Sequence, residues 1–443
     1  MGAFDLWRLE TGSLWWWRVR DLWKEIERIL PEVQKPTRYI DREWNSIRKD
    51  HRDAQLKIAL IYPDVYEVGM PNLGLQILYD ILNSQDDVLA ERAYAPWVDM
   101  EEKLRQRRIP LFSLESHLPL ASFDVLGFSL QHEMTYTNVL NVLDLAGISL
   151  HAAERDERNP LVIGGGPCAY NPKPLAPFFD FFVIGEGEEV VLELVEGVKS
   201  WQRMGNKRRK EELLRALTKI PGVYVPSFYR VEYNSSGRIG KVEPISEDIP
   251  QVVSKRFVSD LDRARIPMRP IVPYMEVIHD RCSLEIMRGC TRGCRFCQAG
   301  MIYRPARERS AEYLRGVGEE LLRETGYEDI SLASLSTSDY GRIEWLVEEL
   351  MRGCAEKGVS ISLPSLRVDT FSVSLAEHIQ TCPPVPGVGL RTSASSVEPR
   401  GHSAELSRSP QSSRRRGVKK TGLTFAPEAG TQQLRDVMLI SLC

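Results

Sequence analysis

The stretch Glu285-Ile-Met-Arg-Gly-Cys290-Thr-Arg-Gly-Cys294-Arg-Phe-Cys297-Gln-Ala-Gly300 sets three cysteines at C-x3-C-x2-C spacing. Thiolates select iron-sulfur clusters or zinc, and ordinary cluster proteins supply four of them, so a tight set of three leaves one iron without a protein ligand. Gly289 and Gly293 suit a loop that wraps closely around inorganic sulfur, because glycine accepts backbone angles closed to other residues. The residues alone also allow a zinc knot or an electron-transfer cluster with Cys282 as fourth ligand. Zinc sites more often come as two separated C-x2-C pairs, and Cys282 sits on an expected strand approach, where packing is its expected role. Cys168, Cys354, Cys382 and Cys443 have no partner at ligand spacing.

Downstream of the cysteines the pattern alternates. Residues 308–324 read as a helix, 330–333 as a strand, 343–351 as a helix, 359–363 as a strand and 422–426 as another. This is the start of a (βα)-type barrel, whose chemistry gathers at the carboxyl ends of the strands. Those ends carry Ser334, Ser336, Ser338 and Asp339, then Arg367 and Asp369, then Glu428.

Upstream, residues 57–62, 123–129, 160–163 and 180–184 read as buried strands, with helices over 73–82 and 138–145. That rhythm indicates a doubly wound, mostly parallel sheet with its ligand beyond the strand ends. The polar and glycine-rich residues fall there: Asp64, Tyr66 and Gly69; Ser129, Gln131 and His132; Gly164 and Gly165; Gly185 and Glu186. On residues alone these loops suit a phosphate or nucleotide. His132 faces a ligand or acts as a structural hydrogen bonder. A short amphipathic helix over 21–30 precedes this region. Residues 201–275 follow as a connector, with a charged helical stretch over 203–215 and a hairpin turning at Asn234-Ser-Ser-Gly237 between 223–233 and 239–242.

The cysteine motif, with Phe296 before its last cysteine, resembles the radical SAM superfamily. The resemblance implies a 4Fe-4S cluster on Cys290, Cys294 and Cys297, whose open iron chelates S-adenosylmethionine and whose electron breaks the sulfonium to a 5'-deoxyadenosyl radical. It implies cofactor contacts from Phe296, Ser336, Ser338, Asp339, Arg367 and Glu428, and an electron donor such as flavodoxin or ferredoxin. Where the family often has G-G-E after the second strand, this chain has Ser336, Ser338 and Asp339. The upstream loops resemble the cobalamin-binding domain found in some members, through Asp64, Ser129, Gly164 and Gly165, with Tyr66, Gly69, Gly185 and Glu186 as further contacts. Tyr66 stands where a cobalt-ligating histidine would be, so a corrinoid would bind without one.

The expected fold is therefore α/β: an N-terminal extension and docking helix over 1–54, a Rossmann-like cobalamin-type domain over 55–200, the connector over 201–275, and an incomplete radical SAM partial barrel over 276–443. Residues 381–418 are Ser/Arg-rich without hydrophobic period and read as a disordered insertion, the pattern of a frameshifted or wrongly spliced stretch. The chain stops after roughly four barrel strands where the resembled family has six, so it reads as truncated. The expected function is reductive cleavage of S-adenosylmethionine, with cobalamin-assisted methyl transfer as a sub-hypothesis and an unknown substrate. The rivals are a catalytically inactive cluster-bearing scaffold and an RNA-modifying enzyme.

At 443 residues the chain has room for two or three cored domains. Its net charge of −3 argues against a general polyanion-binding face, and no nucleic-acid module is legible. No apolar run reaches the roughly 18–20 residues of a membrane span. Trp15-Trp16-Trp17 reads as part of a poorly ordered extension, and cluster thiols imply a reducing compartment, so the cytoplasm is expected.

Overall fold

A computed structural model describes residues 22–205, 209–355, 358–367 and 431–438. The chain divides into two compact units, residues 1–280 and 281–443. The expected docking helix and connector thus belong to the same unit as the upstream sheet.

In the first unit, α1 (Leu22–Ile29) precedes β1 (Leu56–Tyr62), α2 (Leu73–Asn83), β2 (Val88–Tyr94), α3 (Val98–Arg107), β3 (Val125–Ser129), α4 (Tyr136–Leu145), β4 (Leu161–Gly165), β5 (Phe181–Val183), α5 (Val190–Arg203), α6 (Lys210–Leu217) and β6 (Val223–Tyr224). The sheet order is β2-β1-β3-β4-β5-β6. β1 to β5 run parallel and β6 closes the edge antiparallel. One apolar layer joins Ala59, Ile61, Leu126 and Phe128 to α1, α3 and α4. The other joins Leu56, Ile58, Leu60 and Val125 to α2, α5 and α6. Helices therefore cover both faces, as a doubly wound sheet requires, and the order reverses between β1 and β3, where such folds open a crevice.

β2 and α3 are absent from the sequence reading. Glu91 and Arg92 sit mid-strand and read as polar, yet both are 1% exposed. Arg92 is neutralised inside the fold. Its Nε and backbone N–H donate to Glu115 Oε1 and Oε2, each at 2.7 Å, and its Nη1 donates to Glu43 at 3.3 Å. A buried charge is tolerable only when paired in this way.

The connector also differs from expectation. Val223–Tyr224 joins the main sheet, and the hairpin is formed by β7 (Tyr229–Tyr233) with β8 (Ile239–Pro244). Pro226 separates the two uses, since it cannot donate to a ladder and starts a 3-10 turn. The charged stretch before it contains α6, which is amphipathic: Leu213, Leu214 and Leu217 are buried.

In the second unit, β9 (Cys282–Glu285), α7 (Ala311–Thr325), β12 (Asp329–Ala333), α8 (Ile343–Ala355) and β13 (Ser360–Ser362) form successive βα units. The three strands are parallel in order β13-β12-β9. Leu284, Leu314, Ile330, Leu332, Leu346 and Leu350 are buried among them. Between β9 and α7 a ribbon of β10 (Met287–Arg288) and β11 (Arg307–Glu308) pairs antiparallel. The expected strand at 422–426, Asp369, Glu428 and the segment 381–418 lie outside the described residues, as do residues 1–21. Among the described residues, no helix is long and apolar enough to cross a membrane.

Candidate cluster site and strand-end crevice

The cysteine loop is closed at its base. The β10–β11 ribbon brings the two ends of residues 289–306 together, and Ile286 and Arg309 tie them to the sheet through Ile286 N–H to Ala333 O (3.1 Å) and Arg309 N–H to Ile286 O (2.9 Å). Arg288 clamps Glu285 with two bonds of 2.9 Å, and buried Arg309 reaches the same carboxylate at 3.3 Å. Gly289 has φ +87°, and a Cβ there would stand 2.6 Å from Tyr303 O and 2.9 Å from Pro305 O. This glycine is thus demanded by the return of the loop on itself, a closer neighbour than the inorganic sulfur expected from the sequence.

All three cysteines are half-buried and none is in a disulfide. Cys290 Sγ accepts the Arg292 N–H at 3.5 Å and Cys297 Sγ the Gly300 N–H at 3.4 Å. Amide donors of this kind stabilise thiolate and tune a cluster. Among the described residues, no three His, Cys, Asp or Glu side chains converge on a point that could hold a single metal ion. Cys282 is 3% exposed within β9. A cluster presents a separate iron to each ligand, so its thiolates must line one loop without meeting at one centre. Three half-buried cysteines on one closed loop, two of them with an amide donor at the sulfur, fit that group.

The loop follows the carboxyl end of β9 and reaches the turn after the neighbouring strand β12. After β12, Ser336 Oγ donates to Asp339 Oδ2 at 2.8 Å, and Ser338 Oγ accepts the Arg367 N–H at 3.1 Å. Thr337 N–H donates to Ser365 O at 3.2 Å and its hydroxyl to Pro364 O. Arg292, between the first two cysteines, spans Asp339 through Nε to Oδ2 (3.1 Å) and Nη2 to Oδ1 (2.8 Å). Burial pushes the Asp339 carboxyl up, but the Arg292 and Ser336 hydrogen bonds and the charges of Arg292 and Arg367 outweigh it and hold it below the usual range. Phe296 is exposed, and Glu428 is outside the described residues. Ser336, Ser338, Asp339 and Arg367 are thus brought together, with the side chains of Ser336 and Ser338 buried. Arg292 escaped the sequence reading; its position inside the cysteine spacing was the only signal.

In the first unit the strand ends are divided in use. Asp64 is half-buried, with its own Oδ1 accepting Val65 N–H at 2.7 Å and its carbonyl accepting Ala95 N–H at 3.0 Å. Tyr66 is buried and its hydroxyl donates to Glu43. Burial and the Glu43 charge push that phenol far above its ordinary value. At Gly69 a Cβ would press on Tyr62 and Tyr94 at 2.8 Å. Gly164 is closed: a Cβ would lie 2.9 Å from Leu130 and 3.0 Å from Phe182. Gly165 is open, with nothing within 4 Å of an added Cβ. With period two along each strand, Gly127, Ser129, Ile163 and Gly165 share one face; all are half-buried, whereas Val125 and Leu161 earlier on that face are buried. Gln131 Nε2 donates to Ser129 Oγ at 2.9 Å at the end of this slot.

Gly185 and Glu186 serve the connector. Gly185 has φ +116° and bridges to Arg256, whose backbone a Cβ would strike. Glu186 Oε2 accepts the Val258 N–H at 2.7 Å. His132 is exposed and its Nδ1 accepts the Met134 N–H at 3.1 Å, so a neutral ring carries its proton on Nε2 and offers a donor rather than a metal-ligating lone pair.

Along the chain, a doubly wound domain is followed by a parallel βα sheet with a three-cysteine loop at its carboxyl edge. Residues 74–226 match the family of radical SAM proteins, N-terminal, and residues 284–418 match the radical SAM superfamily. Residues 284–418 thus carry a radical SAM domain, preceded by a region of the N-terminal radical SAM type. It is 25% identical over 383 residues to Uncharacterized protein MJ0966 of Methanocaldococcus jannaschii, a match covering 86% of this chain and 62% of that one. It thus spans less than two thirds of that relative. Among solved structures, the radical S-adenosylmethionine methyltransferase TsrM from Kitasatospora setae with cobalamin and a [4Fe-4S] cluster is 14% identical, with TM-score 0.45, over 73% of this chain and 58% of that one. The same enzyme with tryptophan substrate and the analogue aza-SAM is 14% identical, with TM-score 0.43, over 73% and 57%.

Proposed function

We propose that this chain is the cluster-bearing part of an enzyme that cleaves S-adenosylmethionine reductively, assisted by a corrinoid. The observation that carries the reading is the closed loop bearing Cys290, Cys294 and Cys297 at the carboxyl edge of β9, next to the end of β12. Cys290, Cys294 and Cys297 would hold a 4Fe-4S cluster, which when bound would supply the one electron needed to split the sulfonium of S-adenosylmethionine into methionine and a 5'-deoxyadenosyl radical. The protein's share is to hold three irons and leave one open, to supply amide donors from Arg292 and Gly300, and to offer polar groups at the ends of β12 and β13 for the cofactor's amino-acid head. A one-electron protein donor of the flavodoxin or ferredoxin class completes the scheme.

The slot over Ser129 and Gly165 supports the corrinoid part, because it lies at the carboxyl ends of the paired strands β3 and β4, half-buried and bordered by a glycine with nothing within 4 Å of an added Cβ. Tyr66 is committed to Glu43, so the protein supplies no cobalt ligand from that position. Methyl transfer through the corrinoid is the finer reading that follows.

The test is anaerobic reconstitution with iron and sulfide, then electron paramagnetic resonance of the reduced protein with and without S-adenosylmethionine. The reading expects a 4Fe-4S signal that changes on adding the cofactor and is lost in Cys294→Ala. A signal indifferent to the cofactor would favour a cluster-bearing scaffold instead.

A further inference from the structure

Closing the cysteine loop does not require the Arg292–Asp339 pair, since the β10–β11 ribbon already does so. Arg292 nevertheless joins three things. Its N–H meets the Cys290 thiol at 3.5 Å, its carbonyl accepts Arg304 Nη2 at 3.1 Å, and its guanidinium makes both bonds to Asp339. Asp339 is itself fixed by Ser336, on a turn stitched to the end of β13 through Ser338 and Thr337. The two side chains are 32% and 12% exposed, so water screens the pair only partly. The planar fork of arginine gives such a pair an orientation that lysine does not reproduce.

We propose that the Arg292–Asp339 pair is a strap that holds the cysteine loop against the end of β12 for cluster loading, and that its two opposed charges set the reduction potential of a cluster on Cys290, Cys294 and Cys297. The strap rests on the cluster reading above. Reduction adds one electron to an already anionic thiolate cluster, so a neighbouring positive charge favours the reduced form and a negative charge opposes it. Paired, the two charges largely cancel. Removing one unmasks the other.

Opposite signs follow. Arg292→Gln leaves the Asp339 charge alone and shifts the potential negative. Asp339→Asn leaves the Arg292 charge alone and shifts it positive. Arg292→Gln with Asp339→Asn returns toward wild type. Arg292→Lys keeps the charge and loses the fork, so it keeps a near-wild-type potential while loading slows. Outer-shell partners of metal ligands are commonly worth about 10–100-fold in metal affinity, and a loss of that order is expected for iron uptake at limiting iron in Arg292→Gln.

The experiment is anaerobic reconstitution of the full chain and these variants with iron and sulfide, iron and sulfide per chain at limiting iron, and redox titration of the paramagnetic signal without S-adenosylmethionine. Shifts of opposite sign that cancel in the double variant, with slowed uptake in Arg292→Lys, support the strap. Equal potentials throughout, or shifts of one sign in both single variants, overturn it and leave the pair as ordinary loop support. If Arg292→Gln holds no cluster, Asp339→Asn still decides: a negative shift, or none, overturns the strap. Failure of the wild type to take up a cluster would sink the cluster reading and the strap together.

Discussion

Two adjacent glycines illustrate how little a residue's type says without its surroundings. Gly164 points into packed core, where a methyl would meet Leu130 at 2.9 Å and Phe182 at 3.0 Å, so Gly164→Ala should cost about 1–3 kcal/mol of stability in urea denaturation. Gly165 faces the open slot, and Gly165→Val should leave stability within about 0.5 kcal/mol, as substitutions away from packed features usually do. The same change should abolish binding of hydroxocobalamin followed by absorbance. Unaltered binding would mean that the corrinoid does not use this slot. Nothing in the run Gly164-Gly165-Gly166 distinguishes the two roles in advance; the outcome depends on which strand face each occupies.

At the scale of elements, β2 carries the least legible part of the fold. It holds the charged Glu91 and Arg92, and Arg92 meets Glu43 across 49 residues of sequence and Glu115 across 23. Removing the guanidinium in Arg92→Met would strand both carboxylates and should cost about 3–5 kcal/mol, read from denaturant midpoints. Burial pushes the Glu115 carboxyl from its usual 4.5 up to about 7, with the Arg92 charge pulling it down and Glu91 pushing it further up. A carboxyl raised on folding binds its proton more tightly in the native state. Its stabilising share is therefore full below about pH 4.5 and is lost as pH rises toward the raised native value. The stability difference between wild type and Glu115→Gln should change across that window in the same direction. A difference constant from pH 4.5 to 7 would show that Glu115 does not titrate there.

At the scale of the molecule, the two units carry different chemistry. The first contains a complete sheet with helices on both faces. A fragment of residues 22–280 should therefore unfold as one cooperative transition by circular dichroism and take up no iron-sulfur cluster. A fragment that aggregates or melts without cooperativity would show that this unit depends on the rest of the chain. The cluster loop and its clamps, Glu285, Arg288, Arg309, Arg292 and Asp339, lie wholly in the second unit.

What the chain shows by sequence alone is local: cysteine spacing, the apolar runs of β1, β3, β4 and β5, and the alternation of strand and helix in both units. Each depends on residues a few positions apart, which share a loop or an element face however the rest of the chain folds. Tertiary structure alone decided where the polar residues are spent. Tyr66 went to Glu43, Glu186 to Val258, Asp339 to Arg292, and Arg92 to two distant carboxylates. Those partners are chosen by burial, since a polar group removed from water must find its counterpart wherever the fold brings one near.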